Sequence, residues 1–98
     1  MRGPVATGPR NYLGCFKDTG KRDLPGLQKY DRLMTTDMCL SICKQAGFSY
    51  AGTQYASYCF CGNSYGSAGA ATNCDAKCTG NAGETCGGTW ANSIYKLN

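Results

Sequence analysis

The chain has 98 residues, of which eight are cysteine and fourteen are glycine, and its formal net charge is +4. A domain of this length buries too little apolar surface for a very stable core, so the cysteine content indicates a disulfide-stabilised domain. The sequence contains no run of 18 apolar residues, and it therefore predicts no membrane insertion by this chain.

The charged residues exclude one class of partner. Basic residues of the first half lie singly or in the pair Lys21-Arg22, and aspartates are interleaved with them. Nucleic-acid binding requires Lys and Arg clustered on one face, so we expect no nucleic-acid partner. We expect these first-half charges to be solvated, whereas residues 51–98 carry no net charge.

The chain begins with a polar, Pro/Gly-rich stretch, residues 1–10. This composition predicts a flexible leader or expression remnant there, without a signal-peptide pattern, and a domain at residues 11–98. Phe16, Phe48 and Tyr95 stand beside apolar neighbours in strand-like segments. We therefore expect these three rings to belong to the core.

A short helix is predicted between Thr35 and Gly47. A threonine can cap its amino end, and the glycine suits the left-handed residue that ends many helices. An acidic residue near the start and a lysine near the end suit the helix dipole. Cys39 and Cys43 are four residues apart, so they share one face of this helix.

Residues 48–62 are rich in aromatic and small residues, which predicts two short strands with a turn between them. Cys59 and Cys61 then share one face of the second strand, and the aromatic residues beside them face the other way. The spacing of the two cysteine pairs matches, which favours Cys39–Cys59 and Cys43–Cys61 bridges, with crossed pairing as the alternative.

Three of the other four cysteines lie in Gly/Ala/Asn-rich sequence that predicts no strong helix or strand. A Cys78–Cys86 bridge would close a short loop there, and Cys15–Cys74 would tie the first strand to it. Zinc is the rival interpretation, but C-x-C is too tight for ordinary tetrahedral chelation and the chain has no histidine. We expect four disulfides, no metal and no cofactor.

The acidic residues predict no catalysis. Glycoside hydrolysis needs two carboxyl groups across a sugar ring, and the second half offers only Asp75 and Glu84. A small open surface does not favour acid–base catalysis by either residue. Asp18, Asp23 and Asp31 lack the spacing of a calcium loop. The domain is therefore expected to be non-enzymatic and independent of calcium.

Several motifs occur in order along the chain. They are Tyr12-Leu13-Gly14-Cys15-Phe16, Thr35-x3-Cys39-x3-Cys43, Gly47-Phe48-x-Tyr50-Ala51-Gly52, Cys59-Phe60-Cys61-Gly62-Asn63, Cys86-Gly87-Gly88 and Ile94-Tyr95. Together they resemble the WSC domain, a cysteine-rich extracellular module named after yeast cell-wall stress sensors. The resemblance implies the same four bridges and an α+β fold with one helix packed on a short antiparallel sheet, similar to PAN/apple modules.

The resemblance also implies a function. WSC domains occur in yeast wall sensors, fungal β-glucan-binding lectins, secreted fungal enzymes and animal receptors, and their shared theme is carbohydrate recognition at cell surfaces. We expect a secreted or cell-surface, monomeric, lectin-like module that binds a neutral wall or matrix polysaccharide, with β-glucan favoured. The alternative is a protein-interaction or structural module with a protein partner.

Aromatic rings suit sugars, because they stack on apolar C–H faces while polar edges bond hydroxyl groups. Two of the candidates are departures from the family pattern, since Tyr58 and Trp90 stand where relatives often carry smaller or polar residues. Trp90 could instead plug a thin core, the tyrosines could cover the disulfides, and an asparagine after a glycine often supports a turn. The candidate carbohydrate-binding residues, expected in uncharged turns and loops, are Tyr55, Tyr58, Asn63, Tyr65 and Trp90, with Gln54, Thr89 and Asn92 weaker.

Overall fold

The computed structural model describes residues 11–97; the predicted leader at residues 1–10 and the last residue lie outside the described residues. The elements in chain order are β1 (Asn11–Lys17), β2 (Leu27–Tyr30), α1 (Thr36–Gln45), β3 (Tyr50–Gln54), β4 (Tyr58–Gly62), β5 (Lys77–Cys78), β6 (Asn81–Thr85) and β7 (Ala91–Lys96). Five antiparallel strands form one sheet in the order β1-β7-β3-β4-β2, and β5 pairs with β6. The predicted α+β fold is confirmed.

The helix α1 has the predicted ends. Thr35 is its N-cap, and the side-chain oxygen accepts a hydrogen bond from the Met38 N–H at 3.0 Å. Gly47 follows the last turn with a φ of 88°, a left-handed conformation that glycine adopts without steric cost. Within residues 11–97, no helix has the length and apolar character needed to cross a membrane.

All eight cysteines are paired as predicted, and the crossed alternative is excluded. The bridges are Cys15–Cys74, Cys39–Cys59, Cys43–Cys61 and Cys78–Cys86. Sulfur atoms of three cysteines lie within 4.8 Å of one another beneath the helix, but each is bonded in a disulfide and cannot serve as a thiolate ligand. Two of the bridges attach α1 to β4, which fixes the helix on one face of the sheet.

The opposite face of the sheet, called the open face here, carries Tyr58 and Phe60 of β4, since the cysteines that alternate with them point at α1. A second core cluster forms on this face around Leu24, Phe60 and Ile94. Leu24 reaches the strands because Gly52 has no side chain: a Cβ there would lie 2.7 Å from the Leu24 Cδ1. The segment between β1 and β2 thus covers part of the open face.

The sequence interpretation misses several features of the fold. Strand β2 and the hairpin of β5 and β6 were not predicted, because both are short and depend on pairing with distant residues. Tyr95 is buried as expected, but Phe16 and Phe48 are only half-buried at the margins of the core. Their exposed edges reflect how little core a chain of this size can form.

The expectation that first-half charges are solvated is wrong for two aspartates. Asp18 and Asp23 are each 4% exposed. The Asp23 carboxylate accepts hydrogen bonds from the N–H groups of Gly66 and Ser67, both at 2.8 Å, and from the Ser67 hydroxyl at 2.7 Å. Burial is tolerated because these donors replace water around the carboxylate. Asp23 therefore links the loop after β4 to the segment before β2 by hydrogen bonds.

Candidate functional site

A groove of about 410 Å³ lies on the open face beside the turn between β3 and β4. Strand β4 contributes Tyr58 and Phe60 to its floor, and the two neighbouring turns contribute Tyr55 and Trp90 to its rim. Polar groups come from Arg22 and from three uncharged residues. These uncharged residues are Gln28, Gln54 and Thr89. The groove therefore combines flat apolar surfaces with hydrogen-bonding edges.

Three of the five predicted site residues meet in this groove. Trp90 and Tyr55 are 52% and 59% exposed, so neither ring plugs the core. Tyr58 is half-buried and lies in β4 rather than in the predicted turn or loop, because it is the first residue that pairs with β3. Of the weaker candidates, Gln54 and Thr89 line the groove.

The other two predicted residues lie at the opposite end of the sheet. The Tyr65 ring contacts the rings of Phe16 and Tyr50, with centroid distances of 5.2 and 4.8 Å. The Asn63 side-chain oxygen accepts a hydrogen bond from the Ser49 N–H at 3.0 Å. Both residues thus support the edge of the fold there, and neither lines the groove.

The rim of the groove has an unusual backbone. Tyr55, Ala56 and Trp90 have φ values of 51°, 71° and 52°, and they are the non-glycine residues with positive φ in the described part of the chain. A left-handed conformation costs such residues about 1–2 kcal/mol, and strained residues cluster at functional sites. Two of the three carry exposed aromatic rings into the same groove.

The two turns that form the rim are joined to each other. The Tyr55 N–H donates to the Gly88 carbonyl at 3.3 Å, and the Ala56 N–H donates to the Cys86 carbonyl at 3.0 Å. Gly87 lies between the turns with no room for a side chain, since a Cβ there would lie 2.1 Å from the Thr53 carbonyl oxygen. The backbone under both exposed rings is therefore fixed by mutual hydrogen bonds.

Arg22 is a groove residue that the sequence interpretation missed. The central carbon of its guanidinium lies 4.8 Å from the centroid of the Phe60 ring and 5.0 Å from that of Trp90. Both are cation–π distances. The expectation that the aromatic surface is uncharged is therefore wrong, because the loop before β2 brings a cation from the charged half of the chain between two rings.

The charge of Arg22 is balanced by Asp18. Burial raises the pKa of the Asp18 carboxyl, but hydrogen bonds from the Asp23 N–H, the Gln54 amide, the Arg22 guanidinium and the Thr19 N–H outweigh it and hold the pKa below its usual value. The carboxylate is thus ionised at neutral pH. Asp18 and Arg22 together add no net charge to the groove.

The amide of Gln54 extends this network. Its Nε2 donates to the Asp18 Oδ2 at 2.8 Å and to the Asn92 Oδ1 at 3.0 Å. Asn92, a weaker candidate, is fully buried and supports Gln54 from below. The Asp18 carboxylate, which is not itself a lining residue, is thus occupied by donors, and the groove is lined by aromatic, amide, hydroxyl and guanidinium groups.

Of two other groove residues, the sequence could have indicated Phe60 but not Gln28. Phe60 alternates with the cysteines in the same way as Tyr58, so the strand pattern already places both on one face. Gln28 belongs to β2, whose pairing with β4 brings it opposite Phe60. Nothing local in the sequence marks Gln28, because its position depends on that long-range pairing.

Comparison with known proteins adds the family context. Residues 12–88 match the family model of the WSC domain. The chain is 40% identical over 89 residues to "Xylosyltransferase oxt" of Drosophila melanogaster, which covers 86% of this chain and 10% of that protein. It is 36% identical over 92 residues to "Kremen protein 2" of Mus musculus, which covers 89% of this chain and 20% of that protein. The chain thus spans a tenth to a fifth of these relatives.

Proposed function

The chain belongs to the WSC domain family, and from this premise we propose that it is a lectin-like module whose groove binds a neutral polysaccharide, with β-glucan as the leading ligand. The WSC domain itself is non-catalytic, although it occurs within an enzyme such as "Xylosyltransferase oxt". Four disulfides fit an oxidising location, outside the cell or in the secretory pathway.

The observation that carries the proposal is the paired conformation of Tyr55 and Trp90. Both residues have large exposed rings, both line one groove, and both hold a backbone conformation that disfavours their residue type. A fold selected for stability alone would place glycine or asparagine at these positions. Large exposed rings at these two positions are explained if they contact a ligand.

The chemistry of the groove suits a neutral sugar. Pyranose rings have apolar C–H faces that stack on aromatic rings, and the hydroxyl groups at their edges need hydrogen-bonding partners. Gln28 and Thr89 line the groove with the rings and offer such partners, whereas the Gln54 amide nitrogen already donates to Asp18 and Asn92. Because Asp18 balances Arg22, a neutral ligand meets a surface of little net charge and loses little solvation energy on binding.

The test is retention on insoluble β-1,3-glucan. We expect Trp90→Ala to weaken binding by about 1 kcal/mol or more, as removal of an aromatic contact residue commonly does, while the melting temperature changes little. Tyr12→Ala is the matched control, because Tyr12 is 53% exposed and is not among the groove residues. Equal retention of the Trp90 variant and the parent would contradict the proposed site, and unfolding of that variant would show that Trp90 is structural.

A protein partner is the second candidate, and one observation favours it. Leu33 is 62% exposed and follows closely on Tyr30, which is 59% exposed. Sugar stacking does not explain an exposed leucine, whereas apolar patches beside aromatic rings are common at protein interfaces. If the parent retains no neutral glycan, and a Leu33→Ser variant loses capture of a protein that the parent binds, this second candidate replaces the first.

A further inference from the structure

Resting on the proposed function, we propose that Tyr30 is a further binding position, and that the ligand is a linear chain lying across the strands from Trp90 to Tyr30. The inference extends the site beyond the groove lining, to a residue that the groove itself does not include. It also assigns the class of glycan: an unbranched oligosaccharide or polysaccharide of about four sugars or more, bound along its length.

The Tyr30 ring continues the aromatic surface of the groove. Tyr30 is the cross-strand partner of Tyr58, so both side chains lie on the open face. Their ring centroids are 5.2 Å apart, and the Tyr58 ring is in turn stacked on Phe60 with a centroid distance of 6.4 Å and an interplanar angle of 16°. Tyr30 is nevertheless 59% exposed, which leaves most of its surface free for a ligand.

The topology sets the direction and the length of the site. Trp90 directly precedes β7, Tyr58 begins β4 and Tyr30 ends β2. Because neighbouring strands are antiparallel, all three residues lie at the same end of the sheet. The order β7-β3-β4-β2 separates the first and the last by three strand spacings of about 4.8 Å each. A pyranose unit has a similar length, so one sugar fits each step.

The far end of this line is open. Strand β2 is the last strand of the sheet in the described part of the chain, and its residues Gln28, Lys29 and Tyr30 are exposed. A chain that stacks on Tyr30 can therefore continue past the sheet edge. This arrangement favours binding along an internal stretch of a polymer over capture of a terminal sugar.

The experiment measures affinity against chain length. The single tryptophan, Trp90, lies in the groove, so its fluorescence reports binding of β-1,3-linked glucose oligomers from two to six sugars. For the parent, affinity should rise up to about four sugars and then level off. Tyr30→Ala should weaken binding of the six-sugar oligomer by about fivefold or more and leave the two-sugar oligomer nearly unchanged.

Two further variants test whether the effect is specific to the aromatic ring of Tyr30. Tyr30→Phe retains the ring and should retain affinity for the long oligomer, whereas Tyr12→Ala, at an exposed tyrosine outside the groove, should match the parent. The inference is overturned if Tyr30→Ala binds the six-sugar oligomer as the parent does, or if affinity already levels off at two sugars. In either of these cases Trp90-dependent binding would still support the proposed function. Absence of binding to every oligomer and to the polymer would overturn both.

Discussion

The Arg22 guanidinium donates to the buried Asp18 carboxylate, with 2.8 Å between Nη1 and Oδ2. The pair is formed between residues four apart in a loop without regular structure. Its consequence is that the cation is held between the rings of Phe60 and Trp90. The ion pair thus holds a cation beside one floor ring and one rim ring of the groove.

The first prediction concerns acid stability. The pKa of Asp18 is lowered in the folded protein because hydrogen bonds to the carboxylate outweigh its burial. A lowered folded pKa contributes stability that is fully present above the unfolded value of about 3.9 and is lost as the pH falls through the folded value. The melting temperature of the parent should therefore be nearly constant from neutral pH to about pH 5. At pH values below about 4 it should decrease.

The matched variants for this prediction are Asp18→Asn and Asp75→Asn. Loss of hydrogen bonds to a buried charge should cost Asp18→Asn about 1.5–3 kcal/mol at neutral pH, and its difference from the parent should shrink in acid. Asp75 is exposed, so its variant should follow the parent. A constant difference between parent and Asp18→Asn at all pH values would contradict the assignment to Asp18.

The second prediction tests the backbone strain at the groove rim. Trp90→Gly should be more stable than Trp90→Ala by about 1 kcal/mol, because both variants lack the ring and only glycine accepts a φ of 52° without steric cost. Chemical denaturation measures the difference. Lys44 is an exposed position in the last turn of α1 and serves as the control. There Lys44→Gly should be less stable than Lys44→Ala, because glycine is disfavoured in a helix. Equal stability of the two Trp90 variants would show that the turn relaxes.

The helix and its two bridges were predictable because their signals are local. A cap, a terminal glycine and cysteines four residues apart define one helical face without reference to the rest of the chain. The alternating cysteines of β4 define the matching face of a strand. Once these two faces are known, equal spacing favours pairing of Cys39 with Cys59 and of Cys43 with Cys61, and the structure excludes the crossed alternative that spacing alone leaves open.

The groove was predictable only in part because it depends on long-range placement. Tyr55 and Trp90 were identified by their residue type and polar neighbours, but Tyr65, chosen by the same reasoning, packs at the other end of the sheet. Arg22 was taken as a solvated charge, since nothing near it in sequence reveals the rings of Phe60 and Trp90. Residue type alone does not distinguish a ring that lines the groove from a ring that packs within the fold.

The third prediction concerns the disulfides. Cys39 and Cys59 are completely buried and join α1 to β4 across 20 residues of chain. Replacing both with alanine should lower the free energy of unfolding by about 2–5 kcal/mol and abolish folding at 37 °C. Denaturation and peptide mapping without reductant measure the two results. Detection of free thiols in the parent, or a double variant as stable as the parent, would contradict this role.

The last prediction concerns salt. A neutral glycan carries no charge for Arg22 to attract, and Asp18 already balances that guanidinium. Retention of the parent on β-1,3-glucan should therefore change less than about twofold between 0.1 M and 1 M sodium chloride, where the screening length falls from about 10 to about 3 Å. An acidic protein or an acidic polysaccharide would instead be attracted by the net charge of +4 and would be released as the salt rises. Strong release of glucan by salt would show that unpaired basic residues, and not stacking on Trp90, carry the binding.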